Sequence, residues 1–276
     1  MPEPPNDISV AASTLYVLNL GCVDYQRALR LQECLRDVVL HGRELYEAGQ
    51  SPHLPPNCLL LCTHPHVYTV GRRSNPEHLL FDAAQMRRQG VQVCPTNRGG
   101  QITYHGPGQL VGYPILDMRQ LFLDVERYVR LLETIVIAVL RNFSISGVRV
   151  DGATGVWVAQ SKDKPCKKIC AMGVRVSRWV TMHGLALNVC PDLRFFDHIV
   201  ACGLPERKAT SMADVLSNRR KITLLEVACA LIKNFSHSVN QSHRVVSDQT
   251  VHQLFKLSQG PNISPCQMLE VLCQPR

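Results

Sequence analysis

The segment Arg98-Gly-Gly-Gln-Ile-Thr-Tyr-His-Gly-Pro-Gly-Gln109 concentrates residue types that bind and polarise a small ligand. Gly99, Gly100, Gly106 and Gly108 let backbone amides come close to a bound group. Arg98, Thr103, His105 and Gln109 add hydrogen-bonding side chains along the same path. By composition alone a plain glycine-rich turn with a satisfied histidine fits as well. A phosphate loop does not, since no G-x-x-x-x-G-K-[ST] occurs in the chain. A second cluster, Cys58, Cys62, His64 and His66, carries four zinc-type ligands. Along one strand they would spread over about 25 Å at roughly 3.3 Å per residue, so they converge only through a sharp turn. The twelve cysteines lie mostly inside apolar runs such as Cys58-Leu-Leu-Leu-Cys62. They read as small buried hydrophobes of a reducing compartment rather than as a secreted disulfide framework.

The elements that must position these residues follow from periodicity. The chain has 276 residues, 45% hydrophobic and 19% charged, which suits one large or two small folded domains and excludes a disordered charged protein. Leu15 to Leu20 reads as a strand, and residues 24–45 as an amphipathic helix. Cys58 to Val70 reads as one buried apolar strand, 77–90 as a helix closed by Gly90, and 91–95 as a strand. Apolar residues 110–116 follow the glycine-rich segment; 126–143 is a helix and 155–189 is strand-like. Ser211 with Asp214, and Thr223 with Glu226, have capping-box spacing for two later helices. The expected fold is α/β (α+β), with mixed sheets packed against helices. Residues 1–14 read as a flexible N-terminal segment, 15–236 as the functional domain and 237–276 as a poorly structured tail. No run approaches 18 apolar residues, so no membrane span is expected. The net charge of +8 suits an acidic partner.

The run RGGQITYHGPGQLVGYPI closely resembles the signature of the lipoyl(octanoyl) transferases. Further pieces stand in that family's order: THPHVYTVGR at 63–72, ATGVWV at 153–158, KICAMGVRV at 168–176, HGLALNV at 183–189 and ACGLPERKATS at 201–211. The resemblance covers roughly residues 15–235. It implies a fold shared with biotin and lipoate protein ligases. The implied reaction moves an octanoyl group from acyl carrier protein to the lysine of lipoyl domains, in 2-oxoacid dehydrogenase complexes and the glycine cleavage H protein. Cys202 falls on the family's nucleophile, an acyl-thioester intermediate, and Lys168 on its partner lysine. The acyl-pocket segments fall on Arg98, Gly99, Gly100, Gln101, Ile102, Thr103, Tyr104 and His105, on Ala171, Met172 and Gly173, and on Gly184, Leu185 and Ala186. No cofactor, metal, nucleic acid or membrane is implied. The family works in mitochondria in eukaryotes and in the cytoplasm of bacteria; Glu3 and Asp7 make the first residues a weak presequence.

That chemistry is self-consistent. A thiol exchanges readily with a thioester without ATP, and attack of an amine on the enzyme thioester runs downhill to an amide. Because a free cysteine has a pKa of about 8.5, a nearby ammonium helps by favouring the thiolate. Lys167 and Lys168 would face opposite ways on a strand, and spacing does not choose between them; the resemblance selects Lys168. His183 reads as a core histidine and His105 as a shaper of the pocket. Ala201 stands where the family usually carries proline before its cysteine. The alternatives are an ATP-dependent lipoate or biotin ligase, a zinc-binding module built on Cys58, Cys62, His64 and His66, and a nucleic-acid binder.

Overall fold

The computed structural model describes residues 14–82, 86, 88, 90–159, 165–200, 208–217, 221–260 and 263–273. Strand β1 (Thr14–Cys22), helix α1 (Tyr25–Glu47) and strand β2 (Asn57–Thr63) form a β-α-β unit. The carboxylate of Asp24 starts α1 by accepting from the amides of Gln26 and Arg27. The helix then crosses over to bring β2 in parallel to β1. β2 is apolar on both sides because both are covered. Leu59 and Leu61 face one core and Cys58, Leu60 and Cys62 the other.

The remaining strands are β3 (Val67–Val70), β4 (Gln92–Pro95), β5 (Ile102–His105), β6 (Gln109–Ile115), β7 (Gly147–Val150), β8 (Ala153–Val158), β9 (Lys167–Ser177), β10 (Val180–Asn188) and β11 (Ser242–Val245). A large mixed sheet runs β11-β1-β2-β6-β10-β9-β8-β7, and a small one β4-β3-β5. Helices α2 (Val125–Arg141) and α4 (Leu224–Ser238) pack on one face of the large sheet, through Leu132, Ile135, Val139, Leu231 and Phe235. The other face carries α1 with α5 (Asp248–Ser258) and α6 (Pro265–Cys273). A short α3 (Met212–Val215) packs into the core on the α2 and α4 face through Met212. The α/β expectation therefore holds, with element ends shifted by the usual residue or two. The far end of α1 is pinned by Arg43, whose guanidinium forks onto the Asp117 carboxylate at 2.7 and 2.9 Å. Both side chains are buried, and Asp117 in turn accepts from the Arg119 amide.

Four sequence expectations need correction. The run 58–70 is two strands in two sheets, because the chain turns at Thr63-His-Pro-His66 and Pro65 has no N–H for a ladder. Within 77–90, residues 76–78 form a 3₁₀ turn and Leu79 bridges Ile199, so pairing with a distant segment overrides local helix propensity. A helical bond from Met86 to Asp82 places the helix later, and Gly90 at φ +75° closes it as expected. At Ser211 the capping box is half made: its hydroxyl accepts from the Asp214 amide, but the Asp214 carboxylate takes the Thr210 hydroxyl instead. Thr223 and Glu226 form the full box.

The fourth is the tail. Strand β11 and helices α5 and α6 stand where the tail was expected, joined to the fold rather than trailing from it. β11 adds in parallel to the edge strand β1, covering its unpaired backbone. Val251, Leu254, Met268 and Leu272 are buried in the core shared with α1. These are short segments held by tertiary burial, which their own periodicity did not announce. Leu254→Ala is expected to cost about 2–5 kcal/mol in urea unfolding, as at any fully buried core position; a cost under about 0.5 kcal/mol would mean that α5 is a passenger.

Candidate active site

A cavity of about 400 Å³ opens where the two sheets meet, within the roughly 300–1,000 Å³ of small-ligand sites. One part of its wall is the turn 98–101 with β5; another is the middle of β9 and β10, at 171–174 and 183–186. The turn rests directly on β9, where the Gly99 amide donates to the Val174 carbonyl at 2.9 Å. A Cβ on Gly173 would lie 2.9 Å from the Gly99 carbonyl oxygen, so a side chain there would push the two apart. Arg98 anchors the turn to the small sheet. Its Nη2 donates to the Thr69 carbonyl at 2.6 Å and to Oγ1 at 2.9 Å, and Nη1 to the Gly99 carbonyl at 3.0 Å.

Below the turn lies a set of buried rings. Tyr25 stacks on His105 at 6.2 Å and meets His64 edge-on at 5.5 Å. His64 Nδ1 donates to the Val23 carbonyl at 2.7 Å, and its Nε2 accepts from the Tyr113 hydroxyl at 2.7 Å. His66 belongs elsewhere, with Nδ1 hydrogen-bonded to the Tyr104 hydroxyl at 2.7 Å. Both His64 nitrogens are thus committed, and the described residues contain no group of three His, Cys, Asp or Glu side chains placed for a metal.

His105 begins a polar chain. Gln109 gives its amide N–H groups to the Tyr104 carbonyl and to Asn188 Oδ1, at 3.3 and 2.8 Å. Its oxygen therefore faces His105, whose Nδ1 donates to it at 2.7 Å. Asn188 donates on to the Thr210 carbonyl at 2.9 Å, and the Thr210 amide to the Lys168 carbonyl at 2.9 Å. Burial, and secondarily the nearby His64, push His105 down to about 3. His183 is likewise pushed down to about 3 by burial, then by the Arg98 and Arg175 charges. Its Nε2 donates to Asn97 Oδ1 at 2.7 Å. Among the described residues, His183 Nδ1 and Gln101 Oε1 have no partner, and both residues line the cavity. His183 itself stands at φ +57°, a costly conformation for a side chain of its size. Its amide leaves the sheet ladder to donate to Gln32 Oε1 at 2.9 Å.

Lys168 also lines the cavity, at the start of β9. Its ammonium donates to the Thr154 carbonyl at 3.1 Å and lies 4.5 Å above the Trp157 ring. Lys167 is not among the lining residues, so the structure distinguishes the two lysines where spacing could not. Of the predicted pocket residues, 98–103, His105, 171–173 and 184–186 line the cavity. Tyr104 does not. Strand alternation sends it to the other face of β5, where it stacks on Phe195 at 5.0 Å. Cys202 lies outside the described residues. The sequence reading missed Tyr25, Arg73, Val111, Tyr113, Val129, Val174, His183 and residues 152–154 as lining residues. Arg73 adjoins a quoted motif and 153–154 begin another, which was a usable signal. Tyr25 and Val129 arrive on helices distant in sequence, with no local mark.

The chain belongs to the lipoyl protein ligase A/B catalytic-domain family, whose model matches residues 24–236. The relatives place it among the octanoyltransferases of that family, and it is an acyltransferase that moves octanoyl groups in protein lipoylation. An octanoyltransferase of Cytophaga hutchinsonii is 42% identical over 239 residues, 83% of this chain and 96% of that one. One from Solibacter usitatus is 47% identical over 194 residues, 70% of this chain and 80% of that one. In fold the chain is similar to a bipartite lipoate protein ligase from Thermoplasma acidophilum, with TM-score 0.63, 17% identity, and coverage of 96% of this chain and 99% of that one. It is equally similar to a lipoate-protein ligase A bound with ATP, with TM-score 0.63, 17% identity, and coverage of 90% and 94%. Among the described residues no helix is long and apolar enough to cross a membrane.

The neutral histidines set a pH dependence of stability. His105 and His183 stay unprotonated in the fold down to about 3, but in the unfolded chain they take up protons below about 6.5. Their contribution is therefore complete above about pH 6.5 and is lost as the pH falls toward 3. Urea unfolding is expected to show stability dropping by up to about 1.4 kcal/mol per pH unit for each histidine below that point. The slope should flatten in a His105→Gln, His183→Gln variant; an unchanged slope would mean that neither histidine is buried neutral.

Proposed function

We propose that Cys202 and Lys168 carry octanoyl transfer in two covalent steps, with octanoyl-acyl carrier protein as donor and a lipoyl-domain lysine as acceptor. The observation that carries this reading is the position of Lys168. It lines a cavity of mixed polar and apolar wall, bounded by the glycine-rich turn and the 171–173 and 184–186 segments. Relatives more than 40% identical are octanoyltransferases, which supports the substrate.

At rest the Lys168 ammonium is the counter-ion of the Cys202 thiolate. The thiolate attacks the donor's thioester carbonyl, a new S–C bond forms and the donor's C–S bond breaks. Lys168 passes its proton to the departing carrier thiolate. The lipoyl-domain amine then attacks the Cys202 thioester, neutral Lys168 takes the amine's proton, and the Cys202 thiolate leaves, restoring the ion pair. Met172, Val174 and Leu185 offer apolar contact for the acyl chain, at about 0.8 kcal/mol per buried CH₂. The net charge of +8 favours encounter with acidic carrier and lipoyl domains. The bacterial relatives fit a cytoplasmic setting and give a mitochondrial one no support.

Intact-protein mass spectrometry after mixing with octanoyl-acyl carrier protein, without ATP, tests the route. One octanoyl adduct, removed by hydroxylamine and absent from Cys202→Ala, is expected. Lys168→Ala should slow transfer to a lipoyl domain on the order of 10²–10⁴-fold. Folded protein that transfers octanoate only with ATP and never carries the adduct would overturn the covalent scheme.

A further inference from the structure

Resting on the reading of Lys168 just given, we infer that Glu133 is a positioning residue for that lysine, acting through a single peptide group. Glu133 lies on α2, and its side chain is 0% exposed. Its Oε1 accepts from the Gly155 amide at 3.0 Å. That amide and the Thr154 carbonyl are two ends of one peptide unit. No described peptide is cis, so the N–H and C=O point in opposite directions. The carbonyl end accepts from Lys168 Nζ at 3.1 Å. Carboxylate, peptide plane and ammonium therefore lie in series.

Each part of the series is fixed from outside. Glu133 Oε2 accepts from Arg130 Nη1 at 2.9 Å and Arg149 Nε at 3.0 Å, which hold its rotamer. Gly155 sits at φ +115°, and a Cβ there would be 2.5 Å from the Cys170 carbonyl oxygen. The strand pairing slips between Val156 and Trp157 at the same place. The irregularity lies beside the Thr154 carbonyl that takes the lysine's hydrogen bond. The Trp157 indole, under the ammonium, is held by its own bond from Nε1 to the Ala153 carbonyl at 2.9 Å.

A scaffolding ion pair would need only the arginines, and these are 46% and 40% exposed and solvated without it. The oxygen aimed at Gly155 does something more. A carboxylate accepting the N–H end strengthens the C=O end as an acceptor, because hydrogen bonds in series polarise one another. Glu133 thus sets both where the Lys168 head rests and how firmly it is held there.

The test is a double-mutant cycle in the full-length protein, read as single-turnover octanoyl loading and as steady-state transfer to a lipoyl domain. Glu133→Gln keeps the side chain's size and an oxygen for Gly155 but removes the charge. It is expected to lower kcat about tenfold while leaving KM for octanoyl-acyl carrier protein within twofold. In a Lys168→Ala background the same change should cost nothing further. An equal loss in both backgrounds would make Glu133 scaffolding alone and overturn the inference, as would full activity of Glu133→Gln. Full activity of Lys168→Ala would instead sink the reading of Lys168 itself. If Glu133→Gln fails to fold, Arg149→Gln, at a half-exposed position, carries the same comparison with a smaller loss.

Discussion

The seam between the two sheets depends on Arg98. The sheets share no strand, and the turn 98–101 bridges them. On one side its arginine side chain donates to Thr69 of the small sheet; on the other its Gly99 amide donates to Val174 of the large one. A buried guanidinium is costly unless its donors are met, and carbonyl and hydroxyl oxygens meet them here. The cavity is the space this bridge leaves open, bounded where glycines let backbones touch and apolar where β9 and β10 present Met172 and Leu185.

Around that seam the interior is polar but uncharged where it could have been ionised. His64, His105 and His183 are all held toward the neutral form by burial. The chain from His105 through Gln109 and Asn188 to Thr210 is made of groups with fixed donors and acceptors. Such a network orients its members without taking part in proton exchange near neutral pH. It ends on the backbone of Lys168, so the glycine-rich turn and the lysine strand keep one geometry although they are distant in sequence.

The division of labour suits acyl transfer. Apolar strand residues give the cavity a wall suited to a chain that makes no hydrogen bonds, and the Lys168 ammonium rests at the lining on a fixed carbonyl and an indole face. The added β11 closes the β1 edge of the large sheet, and α5 and α6 cover α1. Their role is support of the frame on which the site is built.

The sequence alone determined the class of fold, most strands and long helices, and the stretches that line the cavity. Period-2 and period-3.6 patterns are local, and RGGQITYHGPGQ is contiguous, so both survive without coordinates. Gly90 as a stop and the Thr223–Glu226 box were legible for the same reason. Only the tertiary structure decided what depends on distant partners: the break at Pro65 between two sheets, the pairing of Leu79 with Ile199, and the folded segment 242–273. It also decided that Lys168 rather than Lys167 lines the cavity, that Tyr104 turns away from it, and that Tyr25 and Glu133 come near it from helices. Side-chain direction in a strand follows register, and register is set by pairing between segments that the chain order does not place together.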